Sequence, residues 1–451
     1  MRASMGTGPR AKYILPSLLV AVMLLGTAMV TLHQAQLRLA SEAPEAGRPT
    51  DQAQGNGTAQ ALSDPGQLPR GEAGASPRDS ESIQGSEDRR DDQATLAAPF
   101  HPAYASLVLS RVRPPGVPSP MPSLAAAEHA WLAACQTPLG ALVMAPGDSR
   151  IVPYFANYAA MTLLRWDVPL VERYMRWYLD RLNSPDRFGL DGTIYDYVLQ
   201  GGREVSQRDY DSADSYAATF LTLVARYVFA TGNGQFVLDN LSDLRRVANV
   251  CLALQDPVDD LVWAKPDHRY KFLMDNCEVQ LGLESWAELL RTIGLWHEAG
   301  PYAAAAKRIR AAIEDELWDE RAGAYAWAKT PSGPRGQRRR WYPDAVGQLY
   351  PGLFGVIDPA GQRNQDLLTQ LDTAYPRWPT LGSGDTFPWA LVAYANARGG
   401  RVEQAQRFVD EVSARFITAG RPWPWYNMEA AFFADTVLEL AAPGSSAPVR
   451  R

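Results

Sequence analysis

The chain has 451 residues, room for one large body plus extras, and with 46% hydrophobic residues it can bury a sizeable core. A formal net charge of -6 leaves no basic surface to recommend a nucleic acid partner. Cys135, Cys251 and Cys277 contain no CxxC pair and the five histidines are dispersed, which excludes a disulfide scaffold and a Cys/His zinc site.

Arg2, Arg10 and Lys12 precede an uncharged apolar run from Tyr13 to Leu32. Twenty residues at about 1.5 Å each span roughly 30 Å, one hydrocarbon core. Basic residues before the run, with none directly after, predict a signal anchor at 13–32 with residues 1–12 in the cytoplasm and the rest outside. A cleaved signal peptide is the rival reading, but no small-x-small site follows closely and the run is long for a signal. The expected location is therefore a bacterial inner or cytoplasmic membrane, crossed once. Residues 33–98 are dominated by Ala, Gly, Pro, Ser, Gln, Asp, Glu and Arg, and no Phe, Trp or Tyr occurs between Tyr13 and Phe100. Such a segment cannot bury enough apolar surface to offset its ordering entropy, so a disordered tether spanning about 40 Å is expected. All thirteen tryptophans lie after it, between Trp131 and Trp425. The folded domain is placed at 99–441, with a disordered tail at 442–451.

Within that domain the hydrophobic period is helical and the helices pair. Leu124–Cys135 precedes Pro153–Arg165, Leu170–Arg181 precedes Asp214–Phe229, and Leu241–Leu254 precedes Asn276–Ile293. Tyr302–Trp318 leads to a helix beginning near Asp344, Gln362–Ala374 to Phe387–Ala397, and Val402–Phe416 to Met428–Leu440. The second members, such as DSYAATFLTLVARYVF, are apolar on most faces and must be buried all round. The first members carry charge on one face. Six amphipathic outer helices around six buried inner ones predict an all-α (α/α)6 toroid. A helical solenoid is disfavoured by the irregular repeat length.

In such a ring the segments leading into the inner helices meet at one end and line a common bowl. They read GDSRIVPYFAN, RDYDSADSY, YKFLMDNCE, RRWYPDAVGQ, GSGDTFPW and RPWPWYNME, and carboxylates recur beside aromatic rings. Aromatic faces stack on pyranose C–H faces and carboxylates bind hydroxyls. Glycosidic cleavage needs one carboxylic acid for the leaving oxygen and a second carboxylate for water or the anomeric carbon.

The hairpin count, together with DYDSADSYAATFL, MDNCEVQLGLESWAELL, WYPDAVGQLYP and PWPWYNMEAAFF, resembles the six-hairpin glycosidase superfamily over about Leu124 to Leu440. The resemblance implies a glycoside hydrolase of oligo- or polysaccharides with no metal and no organic cofactor, and the anchor places its action outside the cytoplasm, on a bacterial or environmental polysaccharide. One departure stands out: the helix opening at Pro153 offers Tyr154 and Asn157 where several families place an acid.

The expected catalytic pair draws one member from Asp211 or Asp214 and the other from Asp275, Asp344 or Glu429. Each has a structural competitor. Asp211 or Asp214 can cap a helix, Asp275 and Glu278 have capping-box spacing, Asp344 can cap, and Glu429 can pair with Arg421. Candidate sugar contacts are Tyr154, Asn157, Asp191, Tyr216, Asn276, Glu278, Trp341, Tyr342, Trp389, Trp423, Trp425 and Tyr426. Asp191 is expected in a loop or short hairpin over the rim. Arg335, Arg338, Arg339 and Arg340 form a basic run expected in a solvated loop. Two rivals remain open: a polysaccharide lyase, disfavoured by scarce histidine, and a non-catalytic glycan-binding accessory protein of exopolysaccharide synthesis or export.

Overall fold

The computed structural model describes residues 123–336 and 340–442. The segments expected as anchor, linker and tail, the first part of the folded domain and the pair Arg338–Arg339 lie outside the described residues. Among the described residues no helix is long and apolar enough to cross a membrane.

Twelve helices carry the described fold: α1 (Ser123–Ala133), α2 (Pro153–Leu163), α3 (Val168–Leu179), α4 (Ala213–Thr231), α5 (Leu241–Ala253), α6 (Leu273–Thr292), α7 (Trp296–Leu317), α8 (Tyr350–Leu353), α9 (Gln362–Ala374), α10 (Ala390–Arg398), α11 (Val402–Val412) and α12 (Asn427–Leu440). A further five-residue helix, Gln235–Asp239, precedes α5. Local chemistry fixes several ends. Asp167 caps α3 by accepting from the Leu170 N–H at 2.9 Å, and Gly232 closes α4 in the left-handed region.

Burial separates the helices into two layers. In α11 the buried residues are Ala405, Phe408, Val409 and Val412, a single stripe. In α4 every residue from Ala213 to Ala225 is buried. The even-numbered helices contact one another in sequence, α2–α4–α6–α8–α10–α12, and α12 returns to pack on α2. This closed inner ring is what an (α/α)6 toroid requires. Outside it, α1 lies on α12 and α2, α3 on α2, α5 on α4 and α6, α7 on α6, and α11 on α10 and α12. The outer α9 is tied to the end of α10, where the Gln365 amide donates to the Gly399 carbonyl at 2.8 Å. The α4–α6 approach is closest at Gly282, where a Cβ would stand 2.5 Å from the Ala218 carbonyl oxygen.

Four elements differ from the expected ones: α7 begins at Trp296 rather than Tyr302, and of the other three proline accounts for two. The helix expected from Asp344 is broken into a π-helical turn at Trp341–Ala345 and the short α8. Pro343 forces Tyr342 into extended backbone at φ -120°, and the turn resumes only after it. Pro388 likewise delays α10 to Ala390, with Trp389 in the left-handed region at φ +62°. The third is α11, which ends at Val412 and passes into a π-helical turn, Ser413–Ile417. Small antiparallel strands, which the sequence pattern does not predict, decorate the ring. β1 (Arg150–Ile151), β2 (Tyr197–Gln200) and β3 (Arg203–Ser206) form a sheet beside the start of α2. β4 (Lys271–Phe272), β7 (Ala328–Thr330) and β8 (Gly333–Arg335) form another before α6, and β5 (Trp318–Asp319) pairs with β6 (Ala324–Tyr325).

Candidate active site

The N-terminal ends of the inner helices share an aromatic belt. Tyr216 stacks on Tyr154, Phe155 meets Tyr426 at 5.0 Å, Tyr426 meets Phe387, Phe387 meets Trp389, and Trp389 stacks on Tyr342 at 4.7 Å. Trp423 contacts Phe387 and Tyr426 at the rim and is 38% exposed, with the Arg150 guanidinium over its ring. A partly open indole at the mouth is placed as a sugar platform would be.

Two groups of carboxyls face this belt. In the first, Asp275 is nearly buried, and its Oδ2 accepts from the Ser212 hydroxyl at 3.1 Å. Burial, with the negative charges of Glu278 and Asp211, raises its pKa well above the usual carboxyl range. Glu278 lies deeper. Its Oε1 accepts from Tyr154 at 2.6 Å and from Tyr158, while Oε2 is buried without a hydrogen-bond partner. Burial pushes its pKa up to about 7 against the opposing pull of the two tyrosines and Ser215. The Ser215 hydroxyl lies close enough to Glu278 and Asp275 to lower the pKa of each, although its geometry falls short of a hydrogen bond to either. Asp196 accepts from the Tyr216 hydroxyl at 2.9 Å; removal from water, with Asp211 and Asp209 nearby, moves it to about 8, although part of its surface stays open.

In the second group, Glu429 is clamped at the start of α10, accepting from the Trp389 N–H at 3.1 Å and the Ala390 N–H at 2.6 Å. Burial raises its pKa to about 7, and Asp385 adds to that against the two backbone donors. The Tyr342 hydroxyl feels charges from both groups. Burial raises its pKa first, and the charges of Asp211, Asp275, Glu278 and Asp385 all add to that. One phenol therefore senses carboxyls from both sides.

Several expected residues are placed elsewhere. Asp214 is completely buried, its Oδ1 bound to the Ser215 N–H and its Oδ2 without a partner. Burial and the charges of Asp275 and Glu278 keep it protonated, so it supports the floor of the bowl rather than lining it. Asp191 is exposed and ion-paired to Arg246 at 2.8 Å, which holds its pKa below the usual carboxyl value; it pins a loop to α5. Asp344 is buried in an ion pair with Arg340 at 2.9 Å. Asn157 bridges α2 to α4 and α3 through the Thr219 and Tyr174 hydroxyls, and Asn276 binds the Val262 backbone from both sides. Trp341 packs against Tyr375. Trp425 is buried in the core, with its indole N–H on Glu128. Glu429 does not pair with Arg421, which is instead bound to the fully buried Glu128.

The capping readings also change. The N-cap of α4 is Ser212 and that of α6 is Phe272, and neither caps through its side chain. Asp275 and Glu278 are thus not spent on their own helix ends, whereas Asp214, inside the first turn of α4, accepts from the free Ser215 N–H there. Two site residues, Asp196 and Asp385, are not among those the sequence singles out. Asp196 sits between Tyr195 and Tyr197, five residues beyond Asp191, and its aromatic flanks are the available signal. Among the described residues no group of three or more His, Cys, Asp or Glu is arranged to hold a metal.

No protein-family model matches the chain, and no curated protein matches it. Solved structures do. A wild-type glycosidase superposes with TM-score 0.51 and 15% identity, over 71% of this chain and 96% of that one. A glycosidase variant in complex with glucose gives the same figures. A GH63 mannosylglycerate hydrolase from Thermus thermophilus, in complex with Tris, gives TM-score 0.47 and 12% identity over 69% and 99% of the two chains. The chain is similar to the two glycosidase structures in fold.

Proposed function

We propose that the chain is a glycoside hydrolase in which Asp275 is the general acid and Glu429 the general base. The carrying observation is that two buried carboxyl groups with raised pKa values stand in the first turns of α6 and α12 beside one aromatic belt, the charge of Asp275 acting on Tyr342 and that of Glu429 on Tyr426. Asp275 has a raised pKa and an Oδ1 outside the Ser212 bond, the state from which a proton is given to a glycosidic oxygen as the C–O bond breaks. Glu429 is oriented by two backbone N–H groups and takes the proton of the water whose oxygen bonds to the anomeric carbon. Exchange with solvent restores both groups. The similarity in fold to glycosidases, one of them with glucose bound, supports a carbohydrate substrate. We take that substrate to be an extracytoplasmic polysaccharide, with residues 13–32 holding the domain at the membrane.

The test is to assay Asp275→Asn and Glu429→Gln of the full chain on a glycan panel. Asp275→Asn loses turnover on natural linkages and retains it on aryl glycosides with good leaving groups, and azide rescues Glu429→Gln. Unimpaired turnover in either variant refutes the assignment. Binding without cleavage by the wild type across the panel refutes hydrolysis and points to a glycan-binding protein.

A further inference from the structure

The start of α4 divides its capping in an unusual way. Ser212 is the N-cap residue, and a serine there ordinarily accepts from the third N–H of its own helix, which is that of Ser215. The Ser215 N–H instead donates to Asp214 Oδ1 at 2.8 Å. The first N–H of the helix, that of Ala213, donates to the Ala264 carbonyl at 2.8 Å. The Ser212 hydroxyl is thereby free of its own helix, and it donates across to α6, to Asp275 Oδ2 at 3.1 Å.

The two helices are held close enough for that bond. Gly282 lies about two turns along α6 from Asp275. Ala218 of α4 presses so tightly on Gly282 that a Cβ there would stand 2.5 Å from the Ala218 carbonyl oxygen. Ser212 and Asp275 are both nearly buried, so water competes little for the hydrogen bond.

The better acceptor of a protonated carboxyl is its carbonyl oxygen. With Oδ2 bound to Ser212, the acid hydrogen of Asp275 is left on Oδ1. The titratable neighbours of Asp275 are Cys277 and Glu278 on α6, Asp211 and Asp214 at the start of α4, and Tyr342 and Tyr350 at α8. All six are acids, and none of them can offset a negative charge on Asp275. A hydrogen bond to an ionised acceptor is about twice as strong as one to a neutral acceptor. The Ser212 bond therefore strengthens as the proton leaves, and stabilises the transition state more than the ground state.

We propose that Ser212 is a positioning residue for the general acid: its hydroxyl holds Asp275 Oδ2, leaves the proton on Oδ1, and stabilises the carboxylate formed when that proton passes to the glycosidic oxygen. The proposal rests on the assignment of Asp275 as that acid.

The test measures kcat, KM and Tm of the full chain carrying Ser212→Ala, Ser212→Thr, Asp275→Asn, or Ser212→Ala with Asp275→Asn. The substrates are a glycan that the wild type cleaves and the dinitrophenyl glycoside of the same sugar. Ser212→Ala lowers kcat on the glycan about tenfold with KM nearly unchanged. Turnover of the dinitrophenyl glycoside, whose leaving group needs no acid, stays within about twofold. Tm falls by no more than about 2 °C, because the hydroxyl caps nothing. The falling limb of kcat/KM moves up by about one pH unit as the carboxylate loses its donor. Ser212→Thr keeps the hydroxyl and restores most of the rate. Added to Asp275→Asn, Ser212→Ala has no further effect. The proposal is overturned if Ser212→Ala leaves glycan turnover unchanged, slows both substrates equally, or slows Asp275→Asn as much as it slows the wild type. Full activity of Asp275→Asn on the glycan refutes the acid assignment and this inference together, whereas an inactive Asp275→Asn beside an unimpaired Ser212→Ala refutes the role of Ser212 alone.

Discussion

Replacing Glu278 by Gln should stabilise the protein at alkaline pH and leave it unchanged at acid pH. The Glu278 carboxyl rises from 4.5 to about 7 on folding because it is buried. A group that binds its proton more tightly when folded gives full stability below pH 4.5 and loses it as pH rises through 7. At about 1.36 kcal/mol per pH unit, that loss amounts to about 3 kcal/mol by pH 8. Gln does not ionise, so it avoids the loss. Its carbonyl still accepts from Tyr154 and Tyr158, and its amide N–H₂ takes the position of an oxygen that had no partner, where the unpartnered Ser215 hydroxyl can accept. With an unfolding entropy of about 2.1 cal/mol/K per residue over roughly 320 residues, 3 kcal/mol corresponds to about 5 °C in Tm. Calorimetry at pH 4.5 and pH 8 measures the difference directly. A shift of equal size at both pH values, or a Gln variant less stable at pH 8, refutes the reasoning, because either result removes the ionisation of Glu278 from the balance.

The remaining predictions use the same geometry. In kcat/KM the rate rises as pH passes about 7, where Glu429 must lose its proton to act as base, and ionisation of Asp275, whose pKa burial and the charges of Glu278 and Asp211 raise, sets the falling limb; a pH profile that is flat between 5 and 8 contradicts the role given to Glu429. Trp423→Ala raises KM about tenfold with Tm nearly unchanged, whereas Trp425→Ala costs about 3–5 kcal/mol of stability, and equal Tm losses in the two would erase the distinction between rim and core. Arg421→Met strands the fully buried Glu128 and costs about 3 kcal/mol or more, read from urea denaturation; Glu128→Gln in the same chain restores part of it. Gly282→Ala forces α4 and α6 apart and costs about 1–3 kcal/mol, and a neutral result would show that the ring relaxes freely there.

Much of this architecture is legible in the sequence because inner and outer helices differ in composition. The run Ala213–Ala225 has no polar face to offer solvent, and α11 has one stripe, so the two layers separate before any contact is known. The order of the layers is legible for the same reason. What is not legible is where a helix is interrupted by proline for tertiary purposes, as at Tyr342-Pro343 and Phe387-Pro388. The periodic pattern continues on both sides of each interruption, and only packing decides whether the chain turns. Rim strands of two to four residues, such as Tyr197–Gln200, are too short to leave a period of their own.

The carboxyls show why a site is harder to read than a fold. Along the sequence, Asp214, Asp275 and Glu278 compete between capping their own helices and facing ligand. The ring offers a third possibility that local spacing cannot express, in which a carboxyl serves a neighbouring helix. Glu429 sits in the first turn of α12, yet its bonds go to the start of α10, which begins at a left-handed Trp389 with no cap of its own. Closing six inner helices into a ring brings their N-terminal ends, each with free N–H groups, to one place. Carboxylates gather where those donors converge. Depth then divides them: Asp214, with no exposure, is held neutral as structure, while Asp275, at the boundary of the bowl, keeps a proton within reach of a substrate. An exposure difference of a few per cent, fixed by the helix register, thus separates a supporting acid from the one proposed to react, and no spacing along the chain encodes that register.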